Sequence, residues 1–260
     1  MTGLLGPGDP EAVTVQNPDG TSPIVFISDH AGRAIPRRLG RLGLSEAELS
    51  RHIGWDIGIW GVTSILSDRL KAPYIYQPYS RLVIDCNRQA GSAQSIMERS
   101  DGTDLPGNRG LSAEDKNARD VEILRPYHAC IRQTLDERLQ AGQPTVIFAM
   151  HSCTPQLNGD AAPRPWHIGV IAHSDWRIGD VLIQLLEAET DLRVGRNKPY
   201  SVNMAMDYTV PVHCEGRRLP YVEIEIRQDL IGDAGGQKQW ADLLAGILPR
   251  VVEGSGVIAA

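Results

Sequence analysis

The sequence predicts an α/β fold in which helices cover both faces of a mixed, mainly parallel sheet. Short strand-like runs alternate with helix-like segments along the chain, which is the pattern of this fold class. The strand-like runs are almost continuously apolar, as expected where both faces of a sheet are buried. The chain has 260 residues and contains no internal repeat or low-complexity linker. We therefore expect one domain spanning residues 1–260.

The first half of the chain begins with a segment that is expected to be extended and to pair only weakly with the rest of the fold. Residues 1–20 are rich in Gly, Pro and Asp and predict an extended arm. A β-branched run at 23–30 predicts a strand. Residues 45–70 have helical apolar spacing, begin with a Ser-x-x-Glu capping box and are interrupted by glycines. Two more strands are predicted at 72–79 (APYIYQPY) and 81–88 (RLVIDCNR).

The second half continues the alternation of strands and helices. Residues 101–110 predict a turn-rich loop. A long helix is predicted at 112–142, because it opens with a Ser-x-x-Asp signal and closes at Gly142. The remaining predicted elements are strands at 145–152, 166–173 and 219–230 and helices at 176–190 and 235–254.

The composition narrows the class of protein. Hydrophobic residues make up 42% and charged residues 22% of the chain, as in soluble globular proteins. The net charge of −6 argues against nucleic-acid binding, which needs clustered Lys and Arg. The four cysteines form no CxxC pair, so we expect reduced thiols. Neither a signal-peptide pattern nor a membrane-spanning run is found, and we expect a cytoplasmic protein that binds no membrane.

Polar side chains stand where four of the predicted strands end. In open α/β sheets, ligands bind outside the carboxyl ends of the strands, so these side chains are expected to meet at one edge. One such ending would mean little, whereas four predict a functional site. The residues are Asp29-His30, Asn87-Arg88, His151-Ser152, and Glu223 with Glu225.

The chemistry that fits these residues is a mononuclear hydrolytic metal site. Catalytic zinc is commonly held by two histidines and one carboxylate, with one position left for water. His30 and His151 are the predicted histidine ligands. Asp56 is our choice for the third ligand, with Glu46 and Asp29 as alternatives. Asp56 would equally suit a helix cap or a carboxylate that orients a ligand histidine.

A separate carboxylate is needed to take a proton from water, and Glu225 is the predicted general base. Glu223 and Glu225 alternate with apolar residues, so both lie on one face of their strand. On periodicity alone they would also suit a solvated face.

Six motifs are spread over most of the chain, from about His30 to Ile231. They are SDHAGRAIP, YSRLVIDCNR, MHSCTP, RPWHIGVIAH, NKPYS and LPYVEIEIRQDLI. Together these motifs resemble the N-formylglutamate amidohydrolase family. That family is similar to the zinc carboxypeptidases and to aspartoacylase, in which a mixed sheet lies between helices. The resemblance implies one zinc ion, Glu225 rather than Glu223 as the base, and hydrolysis of N-formylglutamate to glutamate and formate in histidine degradation.

The resemblance also implies roles for three polar residues. Asn87 and Arg88 match a pair that binds the substrate carboxylate, and Arg81 matches an upstream arginine that polarises the scissile carbonyl. One departure concerns the metal ligands. The zinc enzymes carry a His-x-x-Glu pair, and Arg33 stands here in place of that glutamate.

Charge considerations suggest how an anionic N-acyl amino acid would bind. A formyl group is too small to anchor a substrate, whereas a guanidinium pairs well with a carboxylate. A dicarboxylate needs two anchors. Arg88 is one, unless it forms a surface ion pair with Asp85 or Glu98, and Arg227 or Arg109 is the expected second. His213 is a further candidate for substrate contact, with loop stabilisation as the alternative.

Two other functions are compatible with the sequence. Cys153 lies two residues from His151 and shares its face, so a cysteine-dependent amidase is one alternative. A non-catalytic metal- or anion-binding module is the other, and it would not need Glu225. No serine-hydrolase elbow, dinucleotide motif or P-loop follows a strand. We expect a monomer or a small homo-oligomer.

Overall fold

A seven-stranded sheet forms the centre of the computed structural model, which describes residues 3–258. The strands are β1 (Thr14–Gln16), β2 (Ile24–Ser28), β3 (Tyr74–Tyr76), β4 (Arg99–Ser100), β5 (Thr103–Asp104), β6 (Val146–Cys153), β7 (Ile168–Ile171), β8 (Val194–Arg196) and β9 (Tyr221–Arg227). The α-helices are α1 (Glu46–Leu49), α2 (Ile59–Leu70), α3 (Ala113–Arg119), α4 (Arg125–Gln140), α5 (Arg177–Glu189) and α6 (Ala234–Gly254).

The sheet is mixed and mainly parallel, as the sequence predicted. Its strand order is β1-β3-β2-β6-β9-β7-β8, and β4 and β5 form a separate two-stranded sheet. The central strands β3, β2, β6 and β9 run parallel to one another. β1 is antiparallel to β3 at one edge, and β7 is antiparallel to β9 near the other. The parallel centre brings the carboxyl ends of β2, β6 and β9 to one edge of the sheet.

Helices cover both faces of the sheet, which confirms the predicted α/β class. On one face, Phe26 and Phe148 pack in a cluster with residues of α2, α5 and α6, and their rings lie 6.1 Å apart. On the other face, Ile27, Ile147 and Tyr221 pack with residues of α4. Burial of each such side chain contributes roughly 1.5–3 kcal/mol to folding. Because side chains alternate along a strand, each central strand supplies both clusters.

A nearly continuous helix runs from α3 through a π-helical segment (Asp120–Leu124) into α4, as the sequence predicted for residues 112–142. Ser112 caps its N-terminus in a capping box with Asp115. Gly142 follows the helix with a φ of 65°, which a glycine adopts without strain.

The predicted helix at 45–70 is two helices in the structure. The Ser45 side chain accepts a hydrogen bond from Glu48 N and caps α1, which is only one turn long. Turns occupy residues 50–58. Gly58 then precedes α2 with a φ of 82°, a conformation that favours glycine.

The prediction of a strand at 81–88 is wrong. This segment forms successive turns, in which Val83 N donates to Ser80 O and Arg88 N donates to Asp85 O. Leu82, Val83 and Ile84 are apolar because they are buried in the cluster on the α4 face, outside the sheet. Short apolar runs do not distinguish a strand from another buried segment.

The two edge strands of the seven-stranded sheet, β1 and β8, were not among the strands predicted from the sequence. Within the expected arm at 1–20, Thr14–Gln16 pair with β3 as β1, and the first two residues lie outside the described part of the chain. β8 was not predicted from the sequence. Within residues 3–258, no helix combines the length and hydropathy needed to cross a membrane.

Candidate active site

A cavity of about 330 Å³ lies at the carboxyl ends of β2, β6 and β9. The three predicted metal ligands line it, and the catalytic and substrate-binding candidates that line it with them are Arg81, Asn87, Arg88 and Glu225. The turn at 81–88 therefore delivers its polar residues to the expected place, although it is not a strand.

The register between β6 and β9 positions His151 relative to the two glutamates of β9. β6 and β9 are parallel, with His151 opposite Glu225 and Ala149 opposite Glu223. Alternation places all four side chains on the α4 face, whereas Phe148 and Ile224 point into the opposite cluster. A slip of one residue would bury the carboxylates in the other cluster, so the apolar pattern fixes the site.

His30, Asp56 and His151 form a buried group that could hold a metal ion, with their ligand atoms within 4.8 Å of one another. Asp56 Oδ2 lies 2.9 Å from His151 Nδ1 and 3.6 Å from His30 Nδ1. His30 Nδ1 is buried and has no hydrogen-bond partner. Burial disfavours ionisation of Asp56, yet the His30 charge and the hydrogen bond from His151 hold its pKa below the usual range.

A second carboxylate holds the His30 ring from the other side. Asp85 Oδ1 lies 2.8 Å from His30 Nε2 and accepts a hydrogen bond from Asn87 N. Arg81 donates from Nη2 and Nε to Asp85 Oδ2. Burial opposes ionisation of Asp85, but the Arg81 charge lowers its pKa well below the usual range. Our sequence interpretation missed this role, and the available signal was an Asp two residues before Asn87 in an apolar run.

The alternative third ligands point elsewhere. Asp29 Oδ1 accepts hydrogen bonds from Tyr127 Oη at 2.8 Å and Thr209 Oγ1 at 2.7 Å, and Asp29 Oδ2 lies 3.6 Å from His151 Nε2. Asp29 thus faces the back of the His151 ring. Glu46 is exposed and pairs with arginines on the surface. Asp56 alone among the three carboxylates stands between both histidines.

Two glutamates form the wall supplied by β9. Both Glu223 and Glu225 are buried and line the cavity, and Glu225 Oε2 has no hydrogen-bond partner. Burial raises the pKa of Glu225 to about 8, although the His151 charge opposes this. Burial raises the pKa of Glu223 to about 7, with His151 again opposing and the Asp207 charge adding to the rise. A buried, unpartnered carboxylate can exchange a proton with a molecule in the cavity.

The Asn87–Arg88 pair is anchored to the segment at 200–209. Arg88 Nη1 lies 2.7 Å from Asp207 Oδ1, so the surface pairing considered with Asp85 or Glu98 is not the observed one. Asn87 Oδ1 accepts hydrogen bonds from the backbone N atoms of Tyr208 and Thr209, each at 3.0 Å.

Three of the substrate-contact candidates lie outside the cavity. Arg227 pairs with Asp229, with Nε 2.8 Å from Oδ1. Arg109 pairs with Asp104 on the surface. His213 is buried, and its Nε2 lies 3.0 Å from His128 Nδ1. Burial lowers the pKa of His213 to about 3, so this ring is neutral near pH 7.

The geometry gives no support to a cysteine nucleophile. Cys153 lines the cavity and is buried. Burial raises the pKa of its thiol far above the usual value, and the Glu225 charge adds to this rise. Nucleophilic cysteines need a lowered pKa.

Sequence reasoning also missed the part of the cavity wall that follows β8. Tyr200, Ser201, Asn203, Met206 and Asp207 line the cavity from this segment. The NKPYS motif at 197–201 was the available signal, but the segment has no periodicity that would place it.

Comparison with known proteins identifies the family of the chain and proteins that share its fold. A family model described as N-formylglutamate amidohydrolase matches residues 22–232. A gene product of Agrobacterium tumefaciens of known crystal structure is 33% identical, with a TM-score of 0.91 and coverage of 96% of this chain and 98% of that one.

An N-formylglutamate amidohydrolase from Ralstonia eutropha JMP134 is 18% identical, with a TM-score of 0.67 and coverage of 93% and 98%, which shows a shared fold. A search of curated proteins found no match. Since the family model covers most of the chain, the protein belongs to the N-formylglutamate amidohydrolase family and is, by family, a hydrolase.

Proposed function

We propose that the protein is a zinc-dependent amidohydrolase that cleaves the amide bond of an N-formyl or N-acyl amino acid. N-formylglutamate, which would give glutamate and formate, is the reference substrate because the family model carries its name. The observation that carries this proposal is a single cavity that combines the His30–Asp56–His151 group with the unpartnered carboxylate of Glu225.

The donor set fits one zinc ion. Two imidazoles and a carboxylate are common ligands of catalytic zinc, and the unpartnered Nδ1 of His30 faces the Asp56 carboxylate. His30, Asp56 and His151 would hold the ion. When bound, it would supply a Lewis acid that polarises a carbonyl and lowers the pKa of a water molecule. Asp85 and Asp29 would orient the two imidazoles from behind.

Glu225 is proposed as the general base and acid. Its Oε2 would take a proton from the attacking water and then deliver that proton to the leaving amine nitrogen. The water oxygen forms the new bond to the formyl carbon as the carbon–nitrogen bond breaks, so formate and the free amino acid are released. The position of Glu225 opposite His151 supports this role.

Two arginines are proposed to bind and orient the substrate. Arg81 uses Nε and Nη2 to hold Asp85, while its Nη1 lies 3.9 Å from Asp56 Oδ1, beside the proposed metal group. This nitrogen is suited to polarise the scissile carbonyl. Arg88, with Asn87, is proposed to bind the substrate α-carboxylate at the other side of the cavity.

The test pairs a metal measurement with a formate-release assay. We expect about one zinc ion per chain, as in mononuclear catalytic sites, and formate release that is lost on chelation and restored by zinc. His151→Ala and His30→Ala should each lose bound metal and activity while the circular dichroism spectrum stays native. Full activity of the metal-free protein would overturn the zinc assignment, and full zinc occupancy in either variant would remove that residue from the ligand set.

A further inference from the structure

Arg164 brings a third guanidinium to the edge of the cavity. Its Nη1 donates to Thr154 O at 3.1 Å and to Tyr200 Oη at 2.9 Å, and both of these acceptor residues line the cavity. Its Cζ also lies 4.8 Å from the centroid of the Tyr200 ring. Burial and the Glu225 charge raise the pKa of the Cys153 thiol, and the Arg164 charge opposes that rise. The positive charge of Arg164 therefore acts inside the cavity.

Arg164 differs from the two arginines that line the cavity because its hydrogen-bond partners are neutral. Arg81 pairs with Asp85, and Arg88 pairs with Asp207. Arg164 instead donates to a backbone carbonyl and to a phenol, and no carboxylate within residues 3–258 forms an ion pair with it. Its side chain is half-buried. A half-buried guanidinium without a carboxylate partner is suited to bind the carboxylate of a ligand.

Backbone contacts hold the segment that carries Arg164, which is the first residue of the RPWHIGVIAH motif. Arg164 N donates to Pro155 O at 2.7 Å, so the loop between β6 and β7 closes on itself just beyond the end of β6. Arg227 Nη1 donates to Arg164 O at 3.2 Å, while Nε of the same side chain pairs with Asp229. Arg227, which the sequence suggested as the second carboxylate anchor, thus supports the backbone of Arg164.

We propose, building on the proposed function, that Arg164 and Tyr200 bind the side-chain carboxylate of a dicarboxylic N-formyl amino acid, while Arg88 binds its α-carboxylate. Arg164 and Arg88 contact different residues of the cavity wall, so each substrate carboxylate has a cation of its own. The Tyr200 hydroxyl accepts a hydrogen bond from Arg164 and can donate its own hydrogen to the same carboxylate. A neutral side chain forms no ion pair with Arg164, so the site selects substrates with an anionic side chain.

The experiment compares two substrates that differ in one group. N-formylglutamate and N-formylglutamine have nearly the same shape, and only the former carries a side-chain charge. For the zinc-loaded full chain, kcat/KM should favour N-formylglutamate, and Arg164→Gln should lower it for that substrate by about 30-fold, mainly through KM. The variant should hydrolyse N-formylglutamine nearly as well as the wild type does. Arg164→Lys keeps the charge and should retain part of the preference. Arg250→Gln is the control, since Arg250 pairs with Glu189 on the surface and its loss should leave the preference unchanged.

A binding measurement separates this inference from the proposed reaction. Calorimetry on the wild-type protein should show tighter binding of free glutamate than of free glutamine, and Arg164→Gln should bind the two with similar affinity. If neither N-formyl compound releases formate, the proposed reaction fails, and these affinities still decide the role of Arg164. Wild-type protein that binds glutamate no more tightly than glutamine would overturn the inference. Equal losses for both ligands in Arg164→Gln would also overturn it, because they would indicate a structural role or a contact with the α-carboxylate.

Discussion

His30 and Asp85 are joined by a buried contact of 2.8 Å between Nε2 and Oδ1, which leaves Nδ1 of the ring facing Asp56. The contact fixes both the orientation of the ring and the nitrogen that carries the proton. Removal of a carboxylate that is hydrogen-bonded to a metal-binding histidine typically lowers the metal affinity by about 10- to 100-fold. Asp85 is thus a positioning residue for the proposed metal site.

Asp85→Asn should weaken zinc binding by about 10- to 100-fold. The neutral amide carries no charge that would hold the proton on Nε2 of His30. Competition against a chromophoric chelator measures the affinity directly, without an activity assay. Asp136→Asn is a suitable control, since Asp136 forms an ion pair with Arg217 away from the cavity. Wild-type zinc affinity in the Asp85 variant would contradict the positioning role.

Glu225→Gln separates an enzyme from a binding module. Glutamine keeps the shape of the side chain but cannot accept a proton, so kcat should fall by about 10²- to 10⁴-fold. Zinc content should stay near that of the wild type. Glu223→Gln is the matched control and should be mild, because Glu223 lies opposite Ala149 and not opposite His151. If the two variants exchange behaviour, Glu223 is the base.

Arg88→Ala should raise KM for N-formyl amino acids more than it lowers kcat. Loss of a charge-assisted contact to a buried carboxylate costs on the order of 2–5 kcal/mol. We expect the lower end of that range, since Asp207 already neutralises part of the charge and Arg88 is partly exposed. Steady-state kinetics over a range of substrate concentrations measures both constants. An unchanged KM would show that the α-carboxylate binds elsewhere.

Gly58→Ala should destabilise the fold by at least about 2 kcal/mol, because an L side chain is strained in this conformation. Gly58 has a φ of 82°, and a Cβ there would lie 2.0 Å from Ile231 O. Urea denaturation gives the change in the free energy of unfolding. Gly246→Ala provides the contrast, since Gly246 lies in α6 and, apart from its chain neighbours and the nearby backbone of its own helix, no atom lies within 4 Å of an added Cβ. That change should stabilise the protein by about 0.5–1 kcal/mol.

The sheet and much of the cavity were predictable because they depend on local patterns. Apolar runs at 23–30, 145–152 and 219–230 correspond to β2, β6 and β9, and polar residues follow or end each of them. Parallel pairing then brings His30, His151 and Glu225 to one edge, as expected for this fold class.

The remaining parts of the site depend on contacts between distant residues. The segment 81–88 is apolar enough for a strand, yet its backbone bonds to other loops, as in the hydrogen bond from Asp85 N to Ser95 O. Nothing local in the sequence pairs Arg88 with Asp207, 119 residues later. Arg227 was expected in the cavity, but its pairing with Asp229 became visible only from the side-chain geometry.

The alternation along β6 and β9 also matters for protein engineering. Ile224 of β9, for example, faces the helices α2, α5 and α6, whereas its neighbours in the chain, Glu223 and Glu225, line the cavity. Volume-conserving substitutions on the side of the sheet that faces α2, α5 and α6 are separated from the proposed chemistry by the thickness of the sheet. Directed evolution for thermostability can therefore use one side of the sheet, and directed evolution for substrate preference can use the other. The effects of substitutions from the two libraries should combine additively where the residues lie more than about 7–10 Å apart.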